Sequence, residues 1–444
     1  MALRKQLEPL ARCPSKAPDR LLIFAKYPRA GKSKTRLAPL LGEEGAAQLH
    51  RQLALQTLSV AQTLRALNDD VAVEVYSTGN TPEAMASLFG NQWTYRDQGD
   101  GDLGQRLQRA IGKAFQTSAR RVLVIGTDCP LLTRQHLSDA FDALASADLV
   151  LGPARDGGYY LIGMSRLYRE LFGQIPWSSA NVLSQTKAVA ARCGLKVALL
   201  PLLSDMDTPE DLADWAQDRL SKPGGQPWLS IIIPTHNEQE YLAATLGSAL
   251  ACENIEVIVV DAKSSDRTAE IAKKLAVRFL EAEPSRGGQL NRGAEQARAD
   301  TLLFLHADTL LPPDYAAHVS AVLNQPKISA GAFDLKIDAP GWAFRLIEQA
   351  VYLRSRWLEQ PYGDQAIFMR KTIFHQCGGF PNLPYMEDYT MLSRLRKLGS
   401  IRIANAFVFT SARRWLEHGV VKTTLSHQLS ILCYHLGAFQ REVR

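Results

Sequence analysis

Short apolar runs alternate with segments of helical period along most of this chain, and this alternation restricts the fold more than any other feature. The runs LLIFA, VAVEVYS and VLVIGTD predict buried strands, and EEGAAQLHRQLALQTLSVAQTLRAL predicts a long amphipathic helix. Buried strands joined by helices form a mostly parallel sheet with helices on its faces. The sequence therefore predicts an α/β fold of the Rossmann-like kind.

The alternation stops at the segment SKPGGQP, residues 221–227, and then begins again. Two prolines and two glycines without a large apolar residue predict a linker. A chain of 444 residues is also too long for one ordinary hydrophobic core. We expect a flexible leader at 1–19, a first domain at 20–220 and a second domain at 228–444, two α/β domains in tandem.

The composition excludes several classes of protein. Lys and Arg number 51 against 45 Asp and Glu, and this net charge of +6 does not indicate nucleic acid as a partner but suits anionic small molecules or an acidic membrane surface. The six cysteines form no C-x-x-C pair, so we expect a reducing environment without disulfides or a zinc site. The start lacks a signal-peptide core and no apolar stretch could cross a bilayer, which predicts a cytoplasmic protein.

A similar element occurs in both predicted domains: an apolar strand, then an aspartate, then a leucine pair beside proline. It reads VLVIGTDCPLLT at 122–133 and LLFLHADTLLPP at 302–313, with Asp128 and Asp308 at the carboxyl ends of strands. Open α/β sheets bind ligands at that edge. Asp207, in the acidic turn DMDTPEDL, could hold Mg²⁺ together with Asp128 and a nucleotide diphosphate, and a plain helix cap is its alternative role.

The first predicted strand leads into the basic segment FAKYPRAGKSKTRLAP. A basic turn that contains glycine can hold phosphates through backbone N–H groups and side-chain charge, although a solvated loop has the same composition. A second loop, QGDGDLGQR at 98–106, is glycine-rich and precedes a predicted helix. The candidate binding residues of the first domain are Lys26, Lys32, Lys34, Arg36, Gly101 and Asp156.

The combination of FAKYPRAGKSKTRLAP, GTDCPLL, RDGGYYLIG and DMDTPEDL resembles the radical-SAM/selenodomain-associated transferase type 1 family, over about 20–220. That family is similar to nucleotidyltransferases of the GT-A fold. The resemblance implies Asp128 and Asp207 as metal ligands, the Lys32–Arg36 segment as a phosphate loop and a nucleoside triphosphate as a partner. The glycine pairs that usually open sugar nucleotidyltransferases are absent, so nucleotidyl and glycosyl transfer both stay open.

The second domain has an ordered series of polar residues in LSIIIPTHNEQEYL, VIVVDAKSSDRTAEI, EPSRGGQLNRGA, PYGDQAIFMR and PYMEDYTMLSRLRKLG. Transfer from a nucleotide-sugar needs a metal at the diphosphate, a pocket for the nucleoside and a carboxylate that takes the acceptor's proton. Asp308, Asp261 and Asp388 could fill these roles in that order. The candidates are the catalytic residues Asp388 and Glu387 and the binding residues Glu238, Asp261, Arg286, Gln289, Asp364, Gln365, Arg414 and Trp415.

This series resembles glycosyltransferase family 2 and, within it, the radical-SAM/selenodomain-associated transferase type 2 family, over about 228–420. The resemblance implies inverting transfer that depends on Mg²⁺ or Mn²⁺. The family often has D-x-D where this chain has His306-Ala307-Asp308, which keeps the metal-binding second acid; we interpret His306 as a strand-end residue. SARRW at 411–415 is similar to the Q-x-x-R-W of processive members, with Ser411 in place of Gln, which argues against a polymer synthase.

The C-terminal segment VVKTTLSHQLSILCYHLGAF predicts an amphipathic helix, because apolar residues recur there at helical spacing: Leu425, Leu429, Leu432, Leu436 and Phe439. Core packing is the favoured interpretation, and a peripheral contact with the inner face of the membrane is the alternative. A small-molecule acceptor and a lipid acceptor both remain open.

These observations predict a bifunctional transferase. The second domain would transfer a sugar from a nucleotide-sugar, and the first, nucleotidyltransferase-like domain would supply the activated donor. Three alternatives remain: two glycosyltransferases that act in sequence, a first domain that is a non-catalytic nucleotide-binding scaffold, and a nucleotide sensor that binds without turnover.

Overall fold

The computed structural model of the chain describes residues 18–68, 70–173, 175–177, 179–220, 225–339, 341–383, 386–419 and 422. The chain divides into two compact units. The first comprises the described residues of 1–27 and 56–205, and the second comprises those of 28–55 and 206–444. Most of the predicted leader, residues 221–224 of the predicted linker and the predicted C-terminal helix lie outside the described residues, and the predicted domain boundaries stay a prediction.

Among the described residues, the sheet of the first unit has seven strands. They are β1 (Asp19–Lys26), β2 (Val71–Thr78), β3 (Thr94–Asp97), β4 (Val122–Ile125), β5 (Leu149–Pro153), β6 (Tyr159–Met164) and β7 (Val197–Leu199). Their order across the sheet is β3-β2-β1-β4-β6-β5-β7. Only β6 runs antiparallel to its neighbours, β4 and β5.

Helices connect these strands, as the periodicity predicts. They are α1 (Ala38–Leu67), α2 (Pro82–Phe89), α3 (Leu103–Gln116), α4 (Arg134–Ala143) and α5 (Val182–Arg192), with a 3-10 helix at Arg169–Phe172. Helix α1 begins among residues of the second unit and ends among those of the first. Helix α3 buries Leu107, Ile111 and Ala114 in a core that it shares with Val124 of β4 and Leu151 of β5.

In the part of the chain that the structure describes, the sheet of the second unit has eight strands. They are β8 (Leu229–Thr235), β9 (Ile255–Asp261), β10 (Arg278–Glu281), β11 (Thr301–Phe304), β12 (Thr309–Leu310), β13 (Ile328–Asp338), β14 (Phe368–Arg370) and β15 (Ser400–Ser411). Their order is β10-β9-β8-β11-β14-β13-β15-β12. Strands β10, β9, β8 and β11 are parallel to one another, β14 is antiparallel to β11 and β13, and β12 is antiparallel to β15.

The helices of the second unit lie before, between and after these strands. They are α6 (Pro209–Arg219), α7 (Leu242–Ala249), α8 (Thr268–Lys274), α9 (Arg286–Gln296), α10 (Tyr315–Leu323), α11 (Trp342–Trp357), α12 (Lys371–Gln376), α13 (Glu387–Leu398) and α14 (Arg413–His418), with a 3-10 helix at Gly363–Gln365. The predicted α/β class, with mostly parallel sheets flanked by helices, is confirmed in both units.

The packing of the second unit fixes the edge where its polar residues lie. Ile232, Val260 and Leu302 of the parallel strands are buried in one core with Leu392 and Leu395 of α13. Strands β8, β9 and β11 are parallel and in register, so their carboxyl ends meet at one edge of the sheet. No helix of the described residues is long and apolar enough to span a membrane.

Candidate active site

A cavity of about 430 Å³ lies at the carboxyl edge of the sheet of the second unit. Its walls come from the segments that follow β8 and β11, the start of α9, the turn at Gly363–Gln365, the start of α13 and the junction of β15 with α14. These elements are far apart in sequence, and the parallel strand ends bring them together. The predicted residues that line the cavity are Glu238, Arg286, Gln289, Asp308, Asp364, Glu387, Asp388, Arg414 and Trp415.

Two of the binding residues predicted for the second domain, Asp261 and Gln365, are not among the cavity-lining residues. Asp261 is buried, and its Oδ1 accepts hydrogen bonds from Thr235 Oγ1 at 2.8 Å and Ser264 Oγ at 2.6 Å. Gln365 is fully buried, and its Nε2 donates to the carbonyl oxygen of Phe333 at 2.8 Å. Asp261 therefore links β9 to β8, and Gln365 links the turn at Gly363–Gln365 to β13.

Asp388 lies in the first turn of α13, and its carboxylate accepts hydrogen bonds from two backbone N–H groups. Its Oδ2 accepts from Gly363 N at 2.9 Å, and its Oδ1 accepts from Tyr389 N at 2.7 Å. Helix α13 begins directly after Met386, which has a left-handed backbone with φ of 66°. This conformation costs a non-glycine residue about 1 kcal/mol or more, so the surrounding structure must hold it in place. The turn directs a carboxylate of fixed orientation into the cavity.

Arg286 contacts two other cavity residues. Its Nη2 donates to the imidazole of His306, where Nε2 is the nearer nitrogen and Nδ1 lies at 2.9 Å, and its Nε lies 3.4 Å from Glu387 Oε1. Burial, and then the nearby charge of Arg286, hold the pKa of His306 well below its ordinary value, so the imidazole is neutral and accepts this hydrogen bond. Burial raises the pKa of Glu387, and Arg286 opposes that rise. His306, which the sequence analysis interprets as a strand-end residue, also lines the cavity.

The R-W motif predicts Arg414 as a binding residue and does not indicate the adjacent Arg413. The guanidinium of Arg413 forms an ion pair with Glu238, and its Nε lies 3.4 Å from Asp308 Oδ2. It also lies over the ring of Tyr241, 4.9 Å from the ring centroid. SARRW contains two adjacent arginines, but the sequence does not indicate which of them contacts Glu238 and Asp308.

Two buried carboxylate oxygens of the cavity, Glu238 Oε2 and Asp364 Oδ1, have no hydrogen-bond partner among the described residues. Burial raises the pKa of both acids, and the nearby charge of Asp308 adds to that effect. Within the described part of the chain, no group of three or more His, Cys, Asp or Glu side chains could hold a metal ion by itself. The cavity therefore offers acidic oxygens to a ligand but supplies only part of a metal's coordination shell.

The predicted metal ligands of the first domain fall in different units. Asp128 follows β4 of the first unit, whereas Asp207 belongs to the second unit and lies 2.7 Å from Lys34 Nζ. Thr208 caps α6, in a capping box with Asp211, so the alternative role of Asp207 as a plain helix cap is wrong. The structure thus joins one predicted metal ligand to one lysine of the predicted phosphate loop.

The other predicted residues of the first domain lie at exposed positions. Lys26 ends β1, and Lys32 and Arg36 are exposed in the basic segment. Gly101 has φ of 101° and directly precedes Asp102, the cap of α3. Asp156 lies in the turn between β5 and β6, where its Oδ1 accepts from Gly158 N at 2.8 Å. Glycine at 101 and aspartate at 156 have these local roles in the backbone whether or not they also bind a ligand.

Two known protein families match separate segments of the chain. Residues 230–381 match the family described as glycosyl transferase family 2, and residues 61–179 match the family described as an uncharacterized protein conserved in bacteria, DUF2064. The chain is therefore similar to DUF2064 over one segment and to glycosyl transferase family 2 over another. The predicted resemblance of the second domain to family 2 is confirmed, and the type 1 label of the first domain stays a prediction.

Individual relatives are similar to parts of the chain. An uncharacterized glycosyltransferase of Haemophilus influenzae is 29% identical over 180 residues, which is 38% of this chain and 61% of that protein. A second one, from Rickettsia felis, is 27% identical over 206 residues, 42% of this chain and 34% of that protein. The chain thus spans between about a third and three fifths of the length of these two curated relatives.

Among solved structures, a Desulfovibrio desulfuricans protein described provisionally as a nucleotide-diphospho-sugar transferase is 32% identical. The match covers 44% of this chain and 84% of that one, with a TM-score of 0.41.

Proposed function

We propose that the second unit transfers a sugar from a nucleotide-sugar donor to an acceptor hydroxyl, with inversion and with the help of Mg²⁺ or Mn²⁺. The observation that carries the proposal is the meeting of Arg286, Asp308 and Asp388 in one cavity. The match of residues 230–381 to glycosyl transferase family 2 supports it. Each residue alone has a structural alternative, but the set supplies the three functions that such a transfer needs.

The donor diphosphate would lie beside Arg286, because a guanidinium pairs well with phosphate oxygens. Its partner Glu387 would fix the orientation of that guanidinium across their 3.4 Å contact. The unpaired oxygens of Glu238 and Asp364 are acceptors that could receive hydrogen bonds from ribose or sugar hydroxyls. These contacts favour a nucleoside diphosphate with a sugar attached over an uncharged ligand.

The carboxylate of Asp388 would take the proton of the acceptor hydroxyl as that oxygen attacks the sugar. Both of its oxygens already accept backbone hydrogen bonds, which fix their direction before the substrates bind. Asp308 would hold the divalent cation together with diphosphate oxygens. When bound, that cation would neutralise the charge that develops on the departing nucleoside diphosphate.

Donor binding provides a direct test of this assignment. We expect UDP or GDP, with Mn²⁺ present, to bind the full chain and raise its melting temperature, since a ligand that binds only the folded state stabilises it. Isothermal titration should then show weaker binding to Arg286→Gln than to the wild type, and wild-type affinity in Arg402→Gln. Arg402 is exposed on β15 and provides a matched loss of one positive charge. Equal binding to all three proteins would contradict the placement of the diphosphate.

For the first domain we propose a metal-dependent, nucleotidyltransferase-like activity that supplies the activated donor. Strands β1 and β4 are adjacent and parallel, so Lys26 at the end of β1 and Asp128 after β4 lie at the same edge of the first sheet, which supports the proposal. Sequential glycosyl transfer by both domains and a non-catalytic scaffold remain the alternatives.

These alternatives differ in the phosphate product. With the full chain carrying Asp308→Asn, nucleoside triphosphates and a panel of sugar phosphates should yield pyrophosphate, and Asp128→Asn should remove that yield. Release of nucleoside diphosphate from nucleotide-sugars by the same variant would instead indicate a second glycosyltransferase. If neither product forms while the wild type transfers sugar, the scaffold is favoured.

A cytoplasmic location with peripheral membrane contact and a small-molecule or lipid acceptor belong to the same proposal. One face of α11 favours contact with an anionic bilayer, because its apolar residues are exposed: Trp342, Leu346, Leu353 and Trp357. Tryptophan side chains favour membrane interfaces, and both tryptophans of this face are largely exposed. Sedimentation with anionic vesicles, compared for the wild type and Trp357→Ala, tests this contact.

A further inference from the structure

Arg413 lies beside two acids of the cavity in the second unit. It is the first residue of α14, and its guanidinium contacts carboxylates from two other segments of the chain. Glu238, after β8, forms an ion pair with it, and Asp308 Oδ2, after β11, lies 3.4 Å from its Nε. A single positive charge therefore neutralises two acids that belong to the walls of the cavity.

This neutralisation is incomplete. Glu238 Oε2 is buried and has no hydrogen-bond partner among the described residues, although Oε1 of the same carboxylate is paired with Arg413. Arg414 also lies near Glu238, but, in the described part of the chain, the five acidic side chains that line the cavity outnumber its three arginines. A divalent cation would match this excess of acids better than Arg413 does, and Asp308 is the acid to which the proposed function assigns this cation.

We propose that Arg413 is an internal counter-cation that occupies Asp308 until the donor diphosphate arrives, so that nucleotide and metal bind cooperatively. The inference rests on the proposed function of this cavity. A guanidinium pairs with a diphosphate through parallel hydrogen bonds, so the incoming nucleotide competes with Asp308 for Arg413. Once Arg413 turns to the diphosphate, Asp308 is available to the metal. Without nucleotide, the metal has to displace Arg413 first.

The test is the affinity of the full chain for Mn²⁺ alone, measured by titration with electron paramagnetic resonance of the free ion. Arg413→Gln should bind Mn²⁺ roughly tenfold more tightly than the wild type in the absence of nucleotide, since the competing charge is gone. Addition of UDP or GDP should strengthen Mn²⁺ binding clearly in the wild type and much less in Arg413→Gln. Arg402→Gln removes the same charge from an exposed position and should behave as the wild type.

Two further variants separate this role from a structural one. Asp308→Asn, combined with Arg413→Gln, should remove the gain in Mn²⁺ affinity. Arg413→Lys keeps a positive charge without the planar fork, so we expect weak Mn²⁺ binding as in the wild type but a smaller effect of nucleotide. If Arg413→Gln fails to fold, as judged by circular dichroism, the Arg413→Lys comparison still decides.

The possible results distinguish the inference from the proposed function. Equal or weaker Mn²⁺ binding by Arg413→Gln, or an unchanged effect of nucleotide in Arg413→Lys, would overturn the inference alone. Absence of Mn²⁺ binding by the wild type, even with UDP or GDP present, would overturn both.

Discussion

Asp388→Asn is expected to lower the rate of sugar transfer by at least about a hundredfold, while the affinity for the nucleotide-sugar changes by no more than about twofold. An amide cannot take the acceptor's proton, yet it has nearly the shape of the carboxylate and one of its atoms can still accept the hydrogen bond from Gly363 N. The loss should therefore appear in kcat, measured from the release of nucleoside diphosphate. The donor affinity, measured by isothermal titration, should stay unchanged.

Asp314→Asn is a matched control, because it removes one negative charge from an exposed acid beside α10. It should transfer sugar at the wild-type rate. If donor affinity of Asp388→Asn falls as much as its turnover does, Asp388 binds the donor and the assignment as catalytic base is wrong.

Asp308→Asn should have the other large effect, a loss of kcat/KM of about a thousandfold that includes weaker donor binding. The estimate corresponds to the several kcal/mol that a metal contributes at a developing phosphate charge. Removing divalent ions from the wild type with EDTA should reproduce the loss, and the same treatment should change the variant little. Both arms use the release of nucleoside diphosphate as the readout.

The combination of variant and chelator separates two explanations for Asp308. If EDTA has no effect on the wild type while Asp308→Asn is inactive, Asp308 acts through its ion pair with Arg413 and not through a metal. If the variant keeps most of its activity, the cavity works without this carboxylate and the proposed role of Asp308 is wrong.

The sequence was sufficient to predict the architecture and much of the cavity, for a simple physical reason. Buried strands need apolar runs, and a polar residue directly after such a run lies at the edge of the sheet. Asp308 is predicted in this way, and it lines the cavity. Asp388 is predicted to lie at the start of a helix, and α13 does begin there.

The remainder depends on tertiary contacts that a sequence pattern does not contain. Whether Arg413 or Arg414 faces the acids depends on how α14 follows β15, and Trp415 contributes to this by packing on Phe344 of α11. Gln365 precedes Ala366, whose left-handed backbone has φ of 51°, and its side chain is buried where the motif predicted a ligand contact. In the same way, only the folded chain groups residues 28–55 with the second unit.

The most direct test of the central claim, that the cavity of the second unit transfers sugar, is the product formed by the full chain from a panel of UDP- and GDP-sugars with Mn²⁺. The account predicts that at least one donor releases nucleoside diphosphate, and that Asp308→Asn and Asp388→Asn each suppress this release. Release that continues unchanged in both variants would contradict the account, because the chemistry would then take place outside this cavity.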